Sequence, residues 1–93
     1  MKVIDLDGVA VVASKILYIS KIEWWRFRSY EHTPEQPIEG GRFYVQLEGS
    51  ENVSFQHQVY PPLKDWNEVD IMQKELEEMR DEVIERISEA LNN

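Results

Sequence analysis

The sequence predicts an α+β fold: an antiparallel β-meander of four to five strands with one face covered by a long C-terminal α-helix. Three observations predict it. Residues 43–47 and 53–59 alternate apolar and polar side chains, the period of two that a half-covered strand requires. From Val69 onward the apolar residues recur at helical spacing instead. Between the two patterns Pro61-Pro62 removes two backbone donors and closes the sheet. All of this fits in 93 residues, a single domain over 1–93 with the sheet in 2–60, a connecting loop over 29–41 and the helix over 65–91.

The first element is a hairpin. Ile4-Asp5-Leu6 and Val9-Ala10-Val11 flank Asp7-Gly8, a pair that tolerates the positive φ angles of a type I′ turn. Ile16 to about Arg28 reads as one long strand rich in β-branched and aromatic residues, but its alternation slips. Leu17 and Ile19 share a face with Lys21 and Glu23, and then with Trp25 and Phe27. A bulge near Lys21–Trp24 accounts for the slip, since one extra residue exchanges the two faces. Residues 29–41 hold Pro34, Pro37 and Gly40-Gly41 and read as a long connection. Phe43, Val45 and Leu47 form the covered face of the next strand, and Val53, Phe55, His57 and Val59 that of the last.

Asp65-Trp66-Asn67-Glu68 has capping-box spacing, with Asp65 placed to accept a first-turn N–H. Val69, Met72, Leu76, Met79, Val83, Ile87, Ala90 and Leu91 then fall within roughly a third of the helix circumference. A helix of this length spans about 39 Å, whereas an eight-residue strand spans about 27 Å. The overhang calls for a further apolar partner. A second copy meeting Leu76, Met79, Val83, Ile87 and Leu91 is the economical one, and fraying of the last turns is the alternative.

Composition narrows the function. Hydrophobic residues make up 42% and charged residues 30%, which is ordinary globular composition and excludes a disordered chain. With no cysteine, no signal-peptide pattern and no apolar run of membrane-spanning length, a cytoplasmic protein is expected. The net charge is −8. Residues 1–60 carry six bases against eight acids and residues 61–93 four against ten, so the acidity is concentrated in the helix. Such a field opposes phosphate contact, and duplex nucleic acid is not an expected partner.

Catalytic patterns are absent. His32 lies in the loop without metal-ligand spacing, and His57 falls in phase with covered strand residues, which reads as a sheet histidine with a hydrogen-bond partner. Nothing forms a nucleophile elbow or a phosphate loop, so no enzyme, metal or cofactor is expected. The informative stretch is Glu23 to Tyr30. If Trp25 and Phe27 point under the helix, then Trp24, Arg26, Arg28 and Tyr30 join Arg42, Tyr44, Gln46, Gln56, Gln58 and Tyr60 on the open face. Aromatic rings and arginine are enriched at the centres of interfaces. A plain solvated sheet face has a similar composition.

The opening pattern of Gly8, Val9, Val11, Ile16 and Ile19 loosely resembles small bacterial and phage β-sheet proteins of the flagellar FlbD type. The resemblance covers about twenty residues and implies a hairpin first and a helix last, with no functional residue carried across. Small size and acidity are also shared with many phage-encoded accessory proteins. The function expected is a non-enzymatic binding module acting on a protein partner as a homo-oligomer. Two others stay open. One is an oligomer that sequesters a small anionic ligand or nucleotide through Arg26, Arg28 or Arg42. The other is an acidic nucleic-acid mimic that uses Glu75, Glu78, Asp81, Glu82 and Glu85.

Overall fold

The computed structural model describes residues 2–26, 38–60 and 65–92. Its elements are β1 (Val3–Leu6), β2 (Val9–Val12), a 3-10 turn (Ala13–Lys15), β3 (Ile16–Ile19), β4 (Glu23–Arg26), β5 (Glu39–Leu47), β6 (Asn52–Val59) and α1 (Asn67–Asn92). The fold is α+β with antiparallel pairing, as the patterning predicts, but the strands form two sheets rather than one meander. β1 and β2 pair alone, joined by Asp7 and Gly8 at φ of 52° and 82°, the left-handed conformation expected of that turn. In the larger sheet β6 pairs with β5 along its length, and β3 and β4 follow one another along the opposite edge.

The strand expected over 16–28 is therefore broken, and the register shows how. From Ile16↔Leu47 to Tyr18↔Gln46 the outer lane advances two residues while β5 advances one. From Ile19↔Val45 to Glu23↔Arg42 it advances four against three. Each step inserts one extra residue, and the second lies close to where the slip in alternation requires it. Ser20 holds that irregularity in place. Its N–H donates to the Tyr44 carbonyl (2.8 Å), and its Oγ accepts the Tyr44 N–H (2.8 Å). In a regular ladder the Ser20 carbonyl would take that N–H. Here the carbonyl accepts from Arg80 Nε of α1 (2.9 Å), and the hydroxyl substitutes for it. Ser20→Ala strands the Tyr44 N–H and should cost about 1–2 kcal/mol in a urea unfolding curve; an unchanged midpoint would show that the hydroxyl is dispensable.

The break has a consequence for the two tryptophans. An extra residue before Trp24 places Trp24 opposite Gly41 and Trp25 opposite Gly40. A Cβ on Gly41 would lie 2.5 Å from the Trp24 ring and 2.8 Å from Leu76 Cδ2, so Trp24 is on the helix side. A Cβ on Gly40 would lie 2.9 Å from the Trp25 ring and from Gln58 Cγ, so Trp25 is on the open side. This corrects the expected faces: Trp24 and Arg26 are under the helix edge, and Trp25 is not. It also corrects the loop over 29–41, whose last three residues are buried strand. Glycine is needed there because each indole occupies the space of a side chain. Phe27 and residues 29–37 of that loop lie outside the described residues.

Helix α1 begins where Asp65 Oδ1 accepts the Asn67 N–H at 2.7 Å. Val69, Met72, Leu76, Val83 and Ile87 are buried along it. Leu76, Val83 and Ile87 share one core with Phe43, Val45, Val53 and Phe55, with the Phe43 and Phe55 rings stacked at 4.8 Å. The overhang is covered from within the chain. Leu6 and Val11 of the hairpin join the same core as Val83 and Ile87, and Arg86 donates to the Asp5 carbonyl (3.4 Å). A separate hairpin set beyond the end of the main sheet extends the covered length, and the molecule is 50 Å long. The overhang up to Ile87 thus has a partner within the chain, while Leu91 beyond it stays exposed. Leu76, Val83 and Ile87, expected at an oligomer interface, are buried in their own chain. Met79 and Leu91 are exposed, because at 100° per residue they stand about 60° to either side of Leu76 on the rims of the stripe.

Candidate functional site

Antiparallel partners share a face, so the register assigns the open side of the larger sheet residue by residue. It carries Tyr18 and Gln46, then Tyr44 and Ser54, then Glu23, Arg42 and Gln56, then Trp25, Gly40 and Gln58. Tyr60, just beyond β6, reaches it by donating its hydroxyl to Gln58 Oε1 at 2.8 Å. No described element covers this side, since α1 packs on the other.

Among the described residues two ionic groups stand there, Arg42 and Glu23, and they pair with each other at 3.1 Å with both side chains half-exposed. The described residues of the face thus balance in charge, on a chain of net charge −8. Tyr18 and Tyr44 meet edge to face with ring centroids 6.1 Å apart. The hydrogen bond to the Tyr18 phenol, then repulsion from that phenol when charged, holds the Tyr44 hydroxyl above the usual tyrosine range. A raised folded-state value favours the neutral phenol. The contribution is present below the ordinary tyrosine range and is lost as the pH rises through the folded value. Ultraviolet titration should show one phenol ionising late, and Tyr18→Phe should bring it back toward the others; a late phenol that persists in Tyr18→Phe contradicts the pairing.

Of the six contact residues expected from sequence, Arg42 and Tyr44 are on this face. Trp24 and Arg26 are on the helix side, where Arg26 meets Glu39 at 3.2 Å. Arg28 and Tyr30 lie outside the described residues, as does His32. Tyr18, Glu23 and Trp25 belong to the face and were not foreseen. The Gly40-Gly41 pair opposite Trp24-Trp25 is the signal that could have found them, since two strand glycines imply a close approach on each side. His57 is half-buried, with Nε2 2.7 Å from Glu75 Oε2, as a sheet histidine with a partner should be.

Among the described residues no group of three His, Cys, Asp or Glu side chains could hold a metal ion, and no helix is long and apolar enough to cross a membrane. No protein family, curated protein or solved structure matches the chain. The reading of its function therefore rests on the surface itself.

Proposed function

We propose that this chain is a non-enzymatic binding module that holds a partner protein against the open face of its larger sheet. The observation that carries this reading is the contrast between that face and the rest of the molecule. Among the described residues, Tyr18, Tyr44 and Tyr60, with the half-buried Trp25, lie among glutamines with one neutralised ion pair, on a protein that is otherwise acidic. Rings of this kind present large contact area at small loss of side-chain freedom, and neutrality spares a partner the desolvation of unpaired charge. Anion capture has less support. Arg26 and Arg42 stand on opposite faces, and each already meets a carboxylate, at 3.2 and 3.1 Å.

Native mass spectrometry of the untagged chain, isolated from its own cells at low salt, tests the proposal. The expected spectrum contains the chain joined to a second protein, and Arg42→Ala with Tyr44→Ala removes that species while leaving the thermal midpoint nearly unchanged. Exposed pairs such as Arg42–Glu23 contribute at most about 1 kcal/mol, so the variants should fold. A complex untouched by both substitutions, or a bare monomer, contradicts the proposal.

A further inference from the structure

A second surface lies on the helix side, where the end of β4 meets the first turns of α1. Arg26, Trp66, Val69, Asp70 and Gln73 line a cleft of about 330 Å³ there. Behind it is Glu39, the one buried charged residue among those described, 5% exposed. A buried carboxylate is costly unless it is paired and hydrogen-bonded. Arg26 Nη2 supplies the charge at 3.2 Å and Gln73 Nε2 a second bond at 3.2 Å. The same guanidinium lies over the Trp66 ring, 5.5 Å from its centroid.

Arg26 thus acts as an internal ligand and displays what the cleft accepts: a planar cation lying over an indole beside a carboxylate. It does not exhaust the site. Trp66 remains 59% exposed, and Asp70, four residues further on, makes no ion pair or side-chain hydrogen bond among the described residues. Among the described residues one cation stands against two carboxylates there, Glu39 and Asp70, on a molecule of net charge −8. An anion would meet repulsion that Arg26, already neutralised, does not offset.

We propose that this cleft binds a guanidinium group brought by another molecule, the side chain of an arginine in a partner peptide, stacked on the exposed part of Trp66 and paired with Asp70. Guanidinium is favoured over ammonium because a flat, weakly hydrated cation both stacks and forms parallel hydrogen bonds to a carboxylate. The site is independent of the open sheet face, so either can fail without the other.

The test uses the full chain, with N-acetylarginine amide as probe and N-acetylglutamate amide as its anionic counterpart, followed through the three indole N–H resonances. A saturable shift of the Trp66 resonance is expected at millimolar arginine probe, with none from the glutamate probe. Asp70→Asn should weaken binding about threefold to tenfold. Trp66→Leu should leave no saturable response. Both positions are exposed, and unaltered circular dichroism verifies that the variants fold. Arg26→Ala vacates the internal ligand, so the arginine probe should raise its thermal midpoint more than that of the wild type. No saturable shift, an unaltered affinity in Asp70→Asn, a response retained in Trp66→Leu, or tighter binding of the glutamate probe overturns the assignment.

Discussion

Leu6→Ala should destabilise the protein by about 3 kcal/mol, although it changes a four-residue strand near the start of the chain. Leu6 is 1% exposed and shares its core with Val83 and Ile87 at the far end of the helix. Its truncation leaves a cavity in the core that Leu6 shares with Val83 and Ile87. The effect should also be local. Amide exchange over residues 83–92 should accelerate before that over 69–76, because only the C-terminal half depends on the hairpin. If Leu6→Ala leaves exchange in 83–92 unchanged, the hairpin is not what stabilises that half of the helix.

Gly41→Ala should cost about 2–3 kcal/mol, the reverse of the small gain that alanine usually brings to a strand. The added methyl meets the Trp24 ring on one side and Leu76 on the other. Leu76 is fully buried and cannot withdraw, so Trp24 must leave its place. Chemical denaturation measures the loss. Trp24→Ala in the same background should relieve the clash, so that the double variant costs less than the two single changes together. Simple additivity would show that the indole does not dictate the glycine.

Much of the fold was legible in the sequence because its signals are periodic and local. The Asp7-Gly8 turn, the alternation through 43–47 and 53–59, the proline pair and the helical stripe each depend on near neighbours. What was misread depends on residues far apart in the chain. The slip near Lys21 correctly implies an extra residue, but which tryptophan faces the helix is decided by the register against β5, fifteen or more positions away. The same distant register converts Gly40-Gly41 from an apparent loop signal into strand. Likewise, helix length alone suggests an unmet apolar end, while the hairpin that covers it lies more than seventy residues earlier.

The candidate site was legible in kind rather than in membership. Arg42 and Tyr44 sit in a cleanly alternating strand and were placed correctly. Trp24 and Arg26 follow an irregular segment and were placed on the wrong side. The cleft at Trp66 and Asp70 was invisible, because neither residue signals anything until Arg26 and Glu39 are brought to that corner.

Site-specific photo-crosslinking in the host cell tests the proposed contact surface most directly. A photoreactive phenylalanine at Tyr44 or Gln56, on the open face, should capture a partner protein, while the same group at Glu78 or Glu85, on the solvent side of the helix, should capture none. Capture from Glu78 or Glu85, with none from Tyr44 or Gln56, would contradict the open-face reading and return the acidic helix to first place.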